Sequence, residues 1–356
     1  MDVERAETIA YALPFRKPYV TSRGRLDRRE LILFRLTSAE GIVGLGETAS
    51  LSLRGGRTLA EIVAELEEIG RRVVALEGDD GWGIPATEVG IERFSPEARC
   101  AYYTAILDLA ARFTGPSMTD WADPVPCNAT LSSGPPARVA ETALEWSDRG
   151  FETFKLKVGG GGDVAQVRAV REALGPEPRI RIDANGIWSA DEAVAILAEL
   201  EPLGIELCEQ PVATLEEMAE VRKKSAVPLA ADESVATPED ARRARELGAC
   251  DLVTLKMAKV GGHGAATGEN WELPAYISSA LDGPVGIAAA GFVPHVLERN
   301  GSDAGIAHGL ATQLLFSETI ASLGPEVRDG MLHLPAGPGL GVEIDEDALA
   351  RLRLSD

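Results

Sequence analysis

The chain is poor in the features that disulfide scaffolds, thiolate metal sites and nucleic-acid binders depend on. It has four cysteines in 356 residues, Cys100, Cys127, Cys208 and Cys250. None lies in a C-x-x-C spacing, and the last three sit in or beside apolar strand-like runs. That pattern predicts reduced core residues, not disulfides or zinc ligands. No apolar run approaches the ~20 residues of a membrane span. The opening residues, Met1-Asp-Val-Glu-Arg5, are charged, with no apolar signal core behind them. The expected location is the cytoplasm. Basic residues are in deficit: 35 Lys and Arg against 56 Asp and Glu give a net charge of −21. No basic stripe with interleaved aromatics appears, so nucleic acid and membranes are not expected partners. The acidity reads as a solvated surface and says nothing about substrate charge. No Gly-rich dinucleotide fingerprint follows the first strand, and Gly159–Gly162 has no P-loop lysine behind it and reads as a flexible loop.

What the chain does have is a rhythm. Residues 1 to about 50 read as β-rich, with Glu30–Leu36 and Ile42–Glu47 as hairpin partners. Residues 58 to about 115 read as helical, from apolar spacings of three and four. From about residue 125, short strands alternate with amphipathic helices. The strands are expected at Val125–Thr130, Thr153–Val158, Ile180–Asp183, Ile205–Glu209, Pro228–Ala231, Leu252–Lys256, Ala275–Ser279 and Ala304–His308. Ser189 and Thr237 are expected N-caps, and Pro238 suits a first helical position. Eight strands with mostly helical crossovers fit a barrel better than a short open sheet.

Charged residues recur at the ends of these strands. Asp183, Glu209 and Asp232 each follow an apolar run, at steps of about 25 residues. One such carboxylate alone is more often a helix cap or a surface charge. Three in consecutive units would face one rim and supply hard oxygen ligands for Mg²⁺, with Mn²⁺ as a substitute and Ca²⁺ less suited. Lys155 and Lys157 are two apart on one strand and so share a face. On an interior face, like charge and burial would both lower a lysine's pKa and make a base; on an exterior face they would be a solvated pair. Lys256 ends a strand across the barrel, and its plainest reading is a salt bridge to one of the carboxylates. Together the set suits removal of a proton next to a carboxylate.

These residues resemble the muconate-lactonizing-enzyme subgroup of the enolase superfamily, through Lys155-Leu-Lys157, Asp183-Ala-Asn185, Glu209-Gln-Pro211, Asp232-Glu-Ser234 and Lys256, with Gly44-Leu-Gly-Glu47 in the N-terminal part. The resemblance implies an α/β fold: a modified TIM barrel, (β/α)7β, over residues 121–323. It also implies an N-terminal α+β capping domain over 1–120 and a C-terminal segment, 324–356, returning to that domain. Within the subgroup the chain is most similar to the o-succinylbenzoate synthases of menaquinone biosynthesis, through Pro126–Thr130, Ser278–Asp282, Val285–Ala288 and His308–Thr312. Thr21–Gly24 looks more like the N-acylamino acid racemase and epimerase relatives. Dipeptide epimerases carry an acidic pair where this chain reads Gly309-Leu-Ala-Thr-Gln313, which ranks them lower.

The implied enzyme is a Mg²⁺-dependent lyase (dehydratase) working through an enediolate on a small-molecule carboxylate. Asp183, Glu209 and Asp232 would be metal ligands, Lys157 the base, Lys155 its tuner, and Lys256 the cation on the opposite face. Ser278, Ser279 and Gly309 would bind substrate carboxylates, and Arg23, Leu51 and Leu53 would form the rim. An oligomer is compatible with the sequence, which does not fix the oligomeric state.

Overall fold

A computed structural model describes residues 2–21, 24–51, 56–76, 89–115, 123–268 and 271–355. The N-terminal part is an antiparallel sheet of β1 (Val3–Thr21), β2 (Gly24–Ser38) and β3 (Val43–Ala49). Alternation along β2 gives the sheet two buried faces. Ile32, Phe34 and Leu36 point to the helices Leu59–Ala75 and Pro96–Thr114, while Leu31 and Leu33 join the barrel's core. Thr58 caps the first helix in a capping box and Ser95 caps the second.

In Gly44-Leu-Gly-Glu47 the glycines have a packing reason. A Cβ on Gly44 would overlap Ala105 O and Leu109 Cβ, and one on Gly46 would overlap Ala101 O. The missing side chains let the helix Pro96–Thr114 lie directly on β3, while Leu45 and Glu47 face the barrel side.

The chain then passes through the two-residue strand β4 (Val125–Pro126) into a curled, seven-stranded parallel sheet. Its strands are β5 (Ala129–Leu131), β6 (Thr153–Lys157), β7 (Arg179–Asp183), β8 (Ile205–Glu209), β9 (Leu229–Ala231), β10 (Leu252–Leu255) and β11 (Ala275–Ile277), in sequential order across the sheet. Helices connect most of them, as a right-handed parallel crossover requires. The expected eighth strand, Ala304–His308, is not a regular strand. It joins the two edges by isolated bridges, Cys127 with His308 on one side and Ala275 with Asp303 and Ser278 with Gly309 on the other. Asn128 N donates to His308 O at 2.9 Å, and Gly309 N donates to Ile277 O at 2.9 Å. Gly305, at φ 67, interrupts the extended run. The fold is thus α/β, with a capping domain of antiparallel strands beside a barrel-like sheet.

Ser189 and Thr237 cap the helices Ala190–Leu200 and Pro238–Leu247, each in a capping box, with proline at the start of the second. Thr214 caps the helix Leu215–Arg222 in the same way. All four cysteines are buried and free. Among the described residues no helix is long and apolar enough to cross a membrane. The C-terminal stretch runs back along the N-terminal part: Leu340 N donates to Asp108 Oδ1 at 2.7 Å, Arg112 donates to Val342 O at 2.7 Å, and Leu354 N donates to Ala10 O at 2.9 Å.

Gly46→Ala should cost about 1–3 kcal/mol, since the new methyl has no room against the helix backbone. Urea unfolding measures this as a lowered midpoint; an unchanged midpoint would mean the helix is not seated as described.

Candidate active site

The barrel interior is built in layers by period-2 alternation. Lys157, Asp183 and Glu209 are register partners on β6, β7 and β8, and one level below them lie Thr130, Lys155, Arg181 and Leu207. Asp232 follows β9 and Lys256 follows β10. The three carboxylates are fully buried, and Lys155, Lys157 and Lys256 are 4%, 5% and 2% exposed. Charges this deep survive only when paired.

Each amine is given its own anion. Lys155 Nζ donates to Glu209 Oε2 at 2.6 Å and lies 3.0 Å from Asp183 Oδ2. Lys157 Nζ donates to Asp183 Oδ2 at 2.6 Å and to Asn185 Oδ1 at 3.0 Å. Lys256 Nζ pairs with Asp232 Oδ2, so the plainest reading of Lys256 is realised. The expectation that crowding would lower a lysine's pKa fails for Lys155. Burial is the largest influence and opposes its charge, but Asp183 and Glu209 outweigh it and hold the ammonium well above the ordinary lysine range. Burial likewise pushes the Asp183 carboxyl up, and Lys155, Lys157 and Lys256 together pull it well below the usual carboxylate range. Glu209 goes the other way, raised by burial and by the neighbouring Asp183.

The loops after the strands fix these groups. Asn185 and Gln210 both sit at positive φ, 51° and 38°, a conformation that persists only where neighbours impose it. Asn185 N donates to Asp183 Oδ1 at 3.0 Å. Gln210 Oε1 accepts from Asp232 N at 2.8 Å and from Ser234 N at 3.2 Å, tying one strand end to the next.

Several residues of the site were not singled out by sequence reasoning. Lys259 Nζ donates to Asp232 Oδ1 at 3.0 Å and to Thr254 O at 2.7 Å; its signal was the three-residue step from Lys256, one helical turn. Tyr276 Oη donates to Glu209 Oε2, and Arg181, fully buried, stacks over the Tyr276 ring at 5.4 Å while pairing with Glu206. Arg181 shares a strand face with Asp183, but nothing in the sequence says that this face is interior.

Lys155, Lys157, Asn185 and Lys256 line a cleft of about 800 Å³, mouth included, together with Arg29, Ser278, Ser279 and Thr312. Leu51 also lines it. Gly309 is not among the lining residues; its Cα packs against Ser278. Arg23 and Leu53 lie outside the described residues.

As placed, the ammonium of Lys155 stands between two carboxylates, and among the described residues no three carboxylate, imidazole or thiolate groups converge as a ready-made ligand set. The donor set nevertheless fits a hard divalent cation. Three carboxylates end or follow three adjacent strands, and Glu209 Oε1 is buried with no hydrogen-bond partner. Such an oxygen is costly unless a cation or a donor meets it.

Residues 138–348 match the family described as Enolase C-terminal domain-like. The o-succinylbenzoate synthase of Thermobifida fusca (strain YX) is 40% identical over 231 residues, covering 62% of this chain and 68% of that protein. The muconate lactonizing enzyme from Pseudomonas fluorescens, solved with muconolactone, superposes with a TM-score of 0.88 at 29% identity over 99% of both chains. A dipeptide epimerase from Cytophaga hutchinsonii, solved with Mg and the dipeptide D-Ala-L-Val, gives a TM-score of 0.88 at 26% identity, covering 99% of this chain and 98% of that one.

Asp183→Asn should strip two buried ammonium groups of their shared anion. Leaving a buried charge unpaired costs about 3–5 kcal/mol, read as a lower urea midpoint with an unchanged slope. A loss below about 1 kcal/mol, the range of exposed pairs, would show that Asp183 does not hold these lysines.

Proposed function

The chain belongs to the enolase C-terminal domain-like family, in the muconate-lactonizing subgroup, and from that premise we propose that it is an o-succinylbenzoate synthase. The reaction would be the syn dehydration of 2-succinyl-6-hydroxy-2,4-cyclohexadiene-1-carboxylate to 2-succinylbenzoate, in menaquinone biosynthesis. The observation that carries the reading is the cleft lined by Lys155 and Lys157 on one side and Lys256 on the other, with carboxylates at the strand ends behind them. The 40% identity to a synthase supports the substrate choice.

Asp183, Glu209 and Asp232 would hold Mg²⁺, which supplies positive charge to the substrate carboxylate and to the dianion that proton removal creates. Lys157, as the free amine, takes the proton from the carbon bearing the ring carboxylate. The resulting ammonium returns a proton to the departing hydroxyl as the C–O bond breaks, so that water leaves and the ring becomes aromatic. Lys155, two residues before Lys157 on the same strand face, would tune that base. Lys256 faces the other side of the ring, where its charge and a cation–π contact favour the anion. Ser278 and Ser279, which line the cleft, would help bind the substrate's carboxylates.

A second reading is an N-acylamino acid racemase, dipeptide epimerase or cycloisomerase. It is favoured by amines on both sides of the cleft, which could serve as opposed bases, and by the likeness to the dipeptide epimerase structure. The neutral stretch Gly309–Gln313 ranks the epimerase lower, because no acidic pair is there to hold a substrate ammonium.

Purified protein with Mg²⁺ should abolish the diene absorbance of the hydroxycyclohexadiene substrate, and Lys157→Ala should lower kcat by about 10²–10⁴ or more with the fold intact by circular dichroism. Exchange of the α-proton of N-succinylamino acids into deuterated water, without dehydration of the diene, would replace the synthase reading by the racemase one.

A further inference from the structure

An acidic and a basic residue of the capping domain hydrogen-bond the backbone of the cleft wall. Glu47, at the end of β3, reaches into the barrel. Its Oε1 accepts from Gly283 N at 2.6 Å and from Gly286 N at 3.2 Å, and its Oε2 accepts from Tyr11 Oη at 2.8 Å and from Val285 N at 3.3 Å. Arg29, on β2, donates through Nη2 to Ala280 O at 2.9 Å and to Ser50 O at 3.0 Å. Between these two anchors lies Leu281, a non-glycine residue at φ 65 whose side chain lines the cleft. A branched side chain in that region is strained and needs its surroundings to hold it. The same segment is braced from below: Asp282 N donates to Ser279 Oγ at 2.9 Å, Ala280 N donates to Asp282 Oδ2 at 3.0 Å, and Ser279 Oγ lies 2.7 Å from Thr312 Oγ1. At Gly283 and Gly286 the fit leaves no room, since a Cβ on either would lie under 3 Å from a Glu47 oxygen.

We infer that Glu47 and Arg29 are positioning residues by which the capping domain holds the cleft wall Ser278–Asp282, with Leu281 in its strained conformation, in the shape that receives substrate. This rests on the cleft being the substrate site, as proposed above. It goes beyond that reading by making substrate affinity depend on a carboxylate that does not itself line the cleft.

Full-length Glu47→Gln and Arg29→Met proteins test it, with Arg29→Lys as the conservative rescue. Amide exchange of residues 278–286 should quicken by about tenfold in each of the first two, the loss expected for a hydrogen bond to a charged group, while exchange of β6–β8 stays at the wild-type rate. On whichever substrate the wild type turns over, KM should rise by about tenfold with kcat within about twofold, and Arg29→Lys should recover part of the loss. Wild-type exchange rates over 278–286 in both variants would overturn the inference, as would a fall in kcat at unchanged KM. The exchange measurement needs no substrate, so it is decided even if the assigned reaction is wrong. If Glu47→Gln does not fold, Arg29→Met carries the same two readouts.

Discussion

Four lysine amines, of Lys155, Lys157, Lys256 and Lys259, meet three carboxylates at the top of the barrel, and the rest of the architecture serves that balance. No member could be buried alone. Lys155 shows how the balance works: burial alone would strip its proton, and two anions within 3.0 Å keep it. The same pairing answers for the carboxylates, except that Glu209 has one oxygen with no partner. The layer beneath repeats the logic with Arg181, Glu206 and Tyr276. Barrel geometry makes this possible by aligning strand ends in register, so that Asp183 stands beside both Lys157 and Glu209.

The N-terminal sheet is a second constraint. Buried on both faces, it transmits the position of one layer to the other. Gly44 and Gly46 bring the helix Pro96–Thr114 down onto β3, and the intervening alternation aims Glu47 across the interface. A packing rule on one face of a strand thereby sets where a carboxylate ends up on the other.

The parts of the site that could be read from sequence were those with a local signature. Charges closing apolar runs marked the strand ends, and the two-residue step of Lys155 and Lys157 marked a shared face. Ser189 and Thr237 showed as caps by residue type ahead of an amphipathic run, with Pro238 behind the second. What could not be read was decided by tertiary contact. Tyr276 and Arg181 look like ordinary strand residues until the barrel closes around them. Arg29 looks like one of several surface arginines. The direction of the Lys155 shift depends on which neighbour lies nearer, another lysine or a carboxylate, and spacing along one strand is silent on that. The eighth strand was legible as an extended run but not as an irregular one, because Gly305 gains its meaning only between two edges that must be bridged.

The return of the C-terminus to the first strand has a consequence for synthesis. Leu354 bonds to Ala10, and Leu340 and Val342 bond to Asp108 and Arg112. On the ribosome the barrel strands therefore emerge before the partners of Ala10 and Asp108 exist. A nascent chain can pair β5 to β11 while its N-terminal lobe still waits for its last stitches. Maturation would then run from the barrel outward, and trimming a handful of terminal residues would loosen a lobe that lies, in sequence, at the other end of the molecule.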